Sequence, residues 1–566
     1  MLYNRLLAAL MERIANLLAI RGEASYRVQA YRRAAQTLAR LDKDIRVYWH
    51  EGRLESLPNI GPALAKKIDE VLRTGHLRYL ERLEQEVPPG LLDLLDLPGL
   101  GPARVGLLWR QLGITSVDDL VQAFAEGRVQ GIKGLGPKTL AQIQAALAQR
   151  EPARWLLDVA QEVARALAED AVGRGWAQRA QPTGAVRRWV EAPPRVDVLA
   201  LPAAGVLPEA WLAHPVLRAL EVQTEVYAEY TTWFGPRVRV WWAPSDARWG
   251  YALVRTTGSE AHWRALVAQG GEPWLASDPL PTEAAVYAAL GLPVPPPEWR
   301  EAALTPVLRT WPEHLADVVP WDAARRAELH SHSTWSDGRV SIRAMAEAAM
   351  ARGIRILAIT DHSVSLRVGG GLSPERLRQQ REEIRAVQEA LGQGIRLLQG
   401  AEVDILPDGR LDYPDDVLAS LDVVIASPHQ ALKQSPAEAT RRLVRAVQNP
   451  YVHILGHPTG RMLPHRPGLA PDMARVIRTA VQHRVALEIN ANPHRLDLRS
   501  RHVRLVRELG GWLAINTDAH HPRDLDYWPF GLAVARRGWA PHDRILNTWA
   551  PERLLRWLRE KQAAAV

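Results

Sequence analysis

The feature that most restricts the fold of this chain is a series of short apolar runs in its C-terminal half, each ending on a side chain able to bind a metal. Leu329-His330-Ser331-His332 opens the series; Ile354 to His362, Leu397 to Asp404, Val423 to His429 and Val452 to His457 continue it, and Asp518-Ala519-His520 closes it. Apolar runs of this length, alternating with amphipathic stretches, read as buried parallel strands with intervening helices. Helices are expected over Ile342 to Arg352, Glu375 to Leu391, Pro436 to Gln448 and Pro471 to His483. In a β/α barrel the chemistry gathers at the C-terminal ends of the strands, which would bring these His, Glu and Asp side chains to one cavity. Alternate residues of a strand point to one side, so His330 with His332, and Asp518 with His520, each aim two ligands the same way. The pattern points to a multinuclear metal hydrolase.

The N-terminal third carries a degenerate internal repeat. Its copies are Leu57-Pro58-Asn59-Ile60-Gly61-Pro62, Leu97-Pro98-Gly99-Leu100-Gly101-Pro102 and Ile132-Lys133-Gly134-Leu135-Gly136-Pro137-Lys138, each followed by a helical run. They look like helix-hairpin-helix units. Glycine permits the tight turn, and the helix N-terminus behind it offers backbone N–H groups to a DNA phosphate without reading bases. Gly61, Gly99, Gly101, Lys133, Gly134, Gly136 and Lys138 are the candidate DNA contacts, and Asn59 stands where the other copies have glycine.

Charge agrees with a polyanionic partner: 71 basic against 63 acidic side chains give +8. The chain has no cysteine, which excludes disulfides and thiolate ligands. No apolar run is long enough to span a bilayer, so no membrane partner and a cytoplasmic location are expected, with a monomer as the working state.

These motifs, in this order, resemble a bacterial family X DNA polymerase with a C-terminal polymerase and histidinol phosphatase (PHP) domain, over nearly the whole chain. The resemblance implies a multidomain α/β protein: helical helix-hairpin-helix modules, a polymerase-like palm and thumb, and a distorted (β/α)7 PHP barrel. It divides the chain into a helical DNA-binding domain (1–85), a fingers-like helix-hairpin-helix domain (86–150), a palm (151–245), a thumb (246–300), a linker (301–325) and the metallohydrolase barrel (326–566). It further implies three divalent ions: one held by His330, His332, Glu402 and Asp518, a second by Glu402, His429 and His457, and a third by Asp337, His362 and His520. Mixed imidazole and carboxylate ligation suits Mn, Zn or Fe, with Mn expected for turnover and Zn or Fe as resting ions. Asp361 and Asp404 are expected behind the ligands, fixing imidazole tautomers. Arg461 is expected to meet substrate phosphate through its planar fork.

The palm departs from the family's pattern. Thr183-Gly184-Ala185-Val186-Arg187-Arg188 keeps the glycine and the paired arginines but has Ala185 for the serine. Arg195 and Arg239 stand where catalytic carboxylates are expected, leaving Asp197 alone. A nucleotidyl-transfer centre needs several carboxylates to hold its ions. His76 likewise replaces the lysine expected for Schiff-base lyase chemistry. The expected function is therefore a metal-dependent 3′-5′ DNA exonuclease or repair phosphodiesterase, acting on gapped, recessed or damaged DNA, with polymerase activity lost. The alternatives are a gap-filling polymerase with an associated exonuclease, and a DNA-binding scaffold or small phosphate-ester hydrolase.

Overall fold

A computed structural model describes residues 1–132, 134–148, 153–270, 279–366, 369–464 and 466–563. Lys133, among the candidate DNA contacts, lies outside the described residues. The chain folds as two compact units. The first comprises Met1–Arg154, Val159–Pro182 and Pro194–Ser245, and the second Trp155–Asp158, Thr183–Pro193 and Asp246–Val566.

In the first unit, the three repeat copies form the same turn. Ile60 N donates to Leu57 O, Leu100 N to Leu97 O and Leu135 N to Ile132 O, at 3.2, 3.1 and 3.0 Å. Leu57, Ile60, Leu97, Leu100 and Leu135 are buried in one helical core, so the apolar positions of the repeat anchor each hairpin. The first position of each turn is left-handed: φ is 62° at Asn59, 87° at Gly99 and 97° at Gly134. Asparagine tolerates that region better than other side chains, which is why Asn59 preserves the first hairpin. Gly61 and Gly101 cap the helices Pro62–Thr74 and Pro102–Leu112, with proline at the first helical position. Gly136 precedes Pro137–Ala148 in the same way. Gly61, Gly101, Gly136 and Lys138 are all exposed.

The same unit holds a mixed sheet of β1 (Ala177–Thr183), β2 (Arg195–Pro202), β3 (Leu217–Gln223), β4 (Tyr227–Thr232) and β5 (Arg237–Trp242), in the order β1-β2-β5-β4-β3. β2 and β5 run parallel, whereas β4 is antiparallel to both β5 and β3.

The second unit is built on a parallel sheet of seven strands: β6 (Ala327–Glu328), β7 (Ile356–Ile359), β8 (Arg396–Asp404), β9 (Val423–Ser427), β10 (Ile454–Leu455), β11 (Ala486–Asn490) and β12 (Leu513–Asn516), ordered as in sequence. The sheet nearly closes on itself: His332 N donates to Ala519 O at 2.8 Å, and Ala519 N to His330 O at 3.3 Å. Helices follow the strands where periodicity placed them, at Ile342–Ala351, Pro374–Leu391, Pro436–Gln448 and Met473–Gln482. Their starts are written in the sequence. Ser435 caps Glu438 N while the Glu438 carboxylate accepts from Ser435 N, with Pro436 at the first turn.

Residues 301–325 do not form the expected linker. Leu304, Leu308, Leu315 and Val319 are buried in the core that also holds Val424, Leu455 and Leu487 of the barrel, and Val254 of the preceding segment. The apolar spacing of this stretch was hidden by its prolines and short helical turns, Ala302–Val307 and Trp311–His314. No helix among the described residues is long and apolar enough to cross a membrane. Leu304→Ala is expected to destabilise the second unit by about 2–5 kcal/mol, read as a lowered urea midpoint; a change below about 0.5 kcal/mol would mean the segment is not core.

Candidate metal centre

Each barrel strand delivers a polar side chain to its C-terminal end. His330 and His332 follow β6, His362 follows β7, Glu402 and Asp404 end β8, and His429 follows β9. His457 follows β10, Glu488 and Asn490 lie on β11, and Asp518 and His520 follow β12. Parallel strands buried on both faces are apolar until their ends, so ligands accumulate where the backbone ladder stops.

Glu402, buried, is the hub. Its Oε1 lies 2.7 Å from His457 Nε2 and 3.2 Å from His429 Nε2. Its Oε2 lies 3.0 Å from His362 Nδ1 and 3.4 Å from His330 Nε2. None of these approaches has hydrogen-bond geometry: both Glu402 oxygens, His330 Nε2, His362 Nδ1, His429 Nε2 and both nitrogens of His457 are buried without a partner. So many orphaned polar atoms converging on one point is expensive unless a cation completes them. The donor set, imidazoles and carboxylates without thiolate, fits first-row divalent ions.

Among the described residues, three groups of ligand atoms lie within 4.8 Å of one another: His330, His332, Glu402 and Asp518; His362, Glu402 and His429; and His332, Asp337, His362 and His520. Eight of the nine expected ligands fall in these groups, with His362 rather than His457 beside Glu402 and His429; His457 meets the cluster through Glu402 Oε1, and two rings face both ways. His362 turns Nδ1 to Glu402 and Nε2 to Asp337 Oδ2 at 3.4 Å. His332 places Nε2 3.1 Å from Asp518 Oδ1 and Nδ1 3.8 Å from Asp337 Oδ1. Asp337 reaches the cluster because Gly338 passes over His332, where a Cβ would meet the His332 carbonyl carbon at 2.6 Å.

Charge in the cavity is dominated by carboxylates. Burial alone would lower His362 and His520, but Glu402 and Asp337 raise the first to about 10, and Asp337 and Asp518 raise the second to about 9. Burial together with the neighbouring His520 and His362 lowers His332 to about 3. Glu402 and Asp518 are held well below the carboxylate range, despite burial, by the surrounding imidazoles. The site demands positive charge, which protons or metal ions can meet.

The residues behind the ligands are only partly those expected. Asp404 holds His429 Nδ1 and accepts from Ser365 Oγ at 2.6 Å. Asp361 does something else: it accepts from Ser333 N at 2.9 Å, Ser333 Oγ at 2.6 Å and Gln380 Nε2 at 2.6 Å, and so secures the loop leading to Asp337 rather than a histidine tautomer. The expected role at His330 belongs to Glu488, whose Oε1 is 2.7 Å from His330 Nδ1 and whose Oε2 accepts from His457 N at 2.8 Å. A charged residue inside Ala486-Leu487-Glu488-Ile489-Asn490 was the available signal. Arg461 is not placed to meet substrate. It is 1% exposed and donates to Glu191 at 3.0 Å, Arg495 O at 2.7 Å and Leu496 O. It is a brace for the turn after β11.

The palm-like sheet solves its charges internally. Asp197, Arg239 and Glu229 are direct cross-strand partners on β2, β5 and β4, and therefore share one face. Arg239 donates to Glu229 Oε2 at 2.6 and 2.9 Å. Asp197 Oδ1 accepts from Arg195 Nε at 2.8 Å and Trp241 Nε1 at 2.9 Å. The sheet thus carries a second buried carboxylate, Glu229, that motif reading missed, but Arg239 stands between the two in the strand register. Gly184 and Ala185 begin the short helix Gly184–Arg187, whose Arg187 is spent on Glu283 at 2.7 Å. Separately, Lys66, Lys67, His76 and Tyr79 line a cavity of about 1010 Å³ in the helical domain. Burial lowers the Lys67 amine.

The chain matches the models of a helix-hairpin-helix domain over residues 2–77, a SAM-like helix-hairpin-helix tandem over 91–149 and the PHP domain over 328–492. It is 36% identical over 560 residues to the DNA polymerase/3′-5′ exonuclease PolX of Bacillus subtilis, covering 95% of this chain and 96% of that protein. It is also 27% identical over 254 residues to the probable phosphatase TTE1963 of Caldanaerobacter subterraneus, covering 42% of this chain and 91% of that protein. The probable phosphatase YcdX of Escherichia coli O127:H6 is 29% identical over 254 residues, covering 42% of this chain and 93% of that protein.

Glu488→Gln is expected to keep the fold but weaken metal retention roughly 10- to 100-fold, measured as metal content after dialysis against graded chelator; unchanged retention would show that His330 needs no carboxylate behind it.

Proposed function

The chain belongs to the family of the DNA polymerase/3′-5′ exonuclease PolX, and from that premise we propose that it is a metal-dependent 3′-5′ DNA exonuclease whose polymerase centre is lost. The observation that carries this reading is a contrast between two sets of acidic residues. In the barrel, buried donor atoms converge without protein partners. In the sheet, Arg239 occupies the place between Asp197 and Glu229 that a divalent ion would need. One centre calls for cations; the other already contains one.

His330, His332, Glu402 and Asp518 would hold one ion, Glu402, His429 and His457 a second, and Asp337, His362 and His520 a third, with manganese the working metal. Bound ions supply Lewis acidity toward the phosphodiester and a lowered pKa for water. The protein's own part is orientation. Glu488 and Asp404 fix the rings of His330 and His429, and Asp361 fixes the loop carrying Asp337. The exposed helix starts at Gly61, Gly101 and Gly136, with Lys138, suit backbone capture of gapped, recessed or damaged DNA, independent of sequence.

The test is a manganese-supplemented assay on 5′-labelled recessed and gapped DNA, with and without all four deoxynucleoside triphosphates. Stepwise shortening is expected in wild type and Asp197→Ala. In His332→Ala it is expected to fall by more than the roughly 10- to 100-fold typical of residues behind ligands, with DNA binding kept. Triphosphate-dependent extension that Asp197→Ala abolishes would overturn the polymerase half of the reading; undiminished shortening in His332→Ala would overturn the assigned centre.

A further inference from the structure

We propose that Arg495 grips a phosphate of the substrate beside the metal ligands, with Arg466 as its neighbour. This deepens the exonuclease reading and rests on it. Arg495 lies in the turn after β11, where its own N–H and that of Leu496 both donate to Asn492 O, at 2.7 and 3.0 Å. The turn is tight, with φ of 44° at Leu496, and it is braced from behind because Arg461 holds the carbonyls of both Arg495 and Leu496. That brace accounts for a fully buried guanidinium at Arg461 and leaves the Arg495 side chain pointed at the ligands.

Its contacts there are incomplete. Arg495 Nε lies 3.1 Å from Asp518 Oδ2, while Asp518 Oδ1 faces His330 and His332. Oδ2 also accepts from Asn490 Nδ2 at 3.1 Å, so Asp518 is shared among the ligand cluster, an amide and this arginine. Arg495 Nη1 is buried and has no partner. A guanidinium with one edge on a carboxylate and a buried N–H unpaired is half of a fork awaiting an oxyanion.

A second arginine stands close by. Met462 and Arg466 exchange backbone bonds at 2.8 and 2.6 Å, and Leu463 N, in the hairpin between them, donates to His494 O at 2.5 Å, beside Arg495; the Arg495 charge adds to burial in lowering Arg466. Arg466 is exposed and spends its Nε on Gly460 O at 3.0 Å. Two like charges held within range of each other, beside a site built for phosphoesters, are relieved by a phosphate between or beneath them. A rival account is that Arg495 only steadies Asp518. That role would use Nε alone and would leave the buried Nη1 unexplained.

The experiment uses the full-length, manganese-loaded protein with inorganic phosphate as the probe. It compares wild type, Arg495→Gln, Arg495→Lys and Arg466→Gln by calorimetry, with metal content measured on the same samples. Arg495→Gln is expected to keep wild-type metal content and bind phosphate at least about 10-fold more weakly, with KM on recessed DNA rising accordingly and Arg495→Lys recovering part of the loss. Phosphate affinity within twofold of wild type at equal metal content overturns the proposal, as does a wild type that binds no phosphate. Lost metal whose replacement at saturating manganese restores phosphate binding also overturns it, and makes Arg495 a positioning group for Asp518. If Arg495→Gln fails to fold, Arg466→Gln carries the test: a threefold or greater weakening supports the clamp and an unchanged affinity overturns it. A wild type that binds phosphate through Arg495 yet never shortens DNA would sink the exonuclease reading alone.

Discussion

The buried carboxylate of Glu402 is the constraint on which the second unit depends. Five imidazoles approach its two oxygens, and none completes a hydrogen bond to them. An ionised group in that condition is tolerated only if the surrounding structure fixes its neighbours and a cation completes the set. Much of the barrel's polar interior serves that end: Glu488 spans His330 and the His457 backbone, Asp404 holds His429, and Asp361 ties down Ser333. The left-handed backbone at Asp518, φ 53°, is a local cost accepted at a ligand position.

The first unit meets a similar charge problem by the opposite route. Asp197 and Glu229 are buried on one face of their sheet, and arginines from the same sheet neutralise them. A guanidinium fixed by bidentate contact does not exchange with an ion from solution. Arg239 also lies over the Tyr227 ring, with its guanidinium carbon 4.2 Å from the centroid, which further fixes it in place. The palm-like sheet can keep its strand order and core under such a change of charge, because sheet stability rests on its buried strand faces rather than on the identity of the charged row.

Legibility followed the kind of interaction involved. Helix starts and hairpin turns were readable because they are local: Ser435 with Glu438 sets a cap within four residues, and the left-handed turn needs Gly or Asn at one position. The barrel ligands were readable because the end of an apolar run marks the end of a strand. The segment 301–325 was misread because proline-rich, short-turn sequence resembles a linker until the surface it packs against is known. Arg461 was misread because a planar fork suits a phosphate and two backbone carbonyls equally well.

The sequence by itself determined the alternation of strand and helix, the nine candidate ligands and the three hairpin turns, since each depends on spacing along the chain. Only the tertiary structure decided which carboxylate stands behind which histidine, that Arg239 lies between two acids, and that Arg495 rather than Arg461 faces the ligands. Those outcomes depend on distances between residues far apart in sequence, such as Glu488 and His330, or Asp518 and Arg495. Side-chain type fixes what a group can bind; the crossing of strands and turns fixes what it meets.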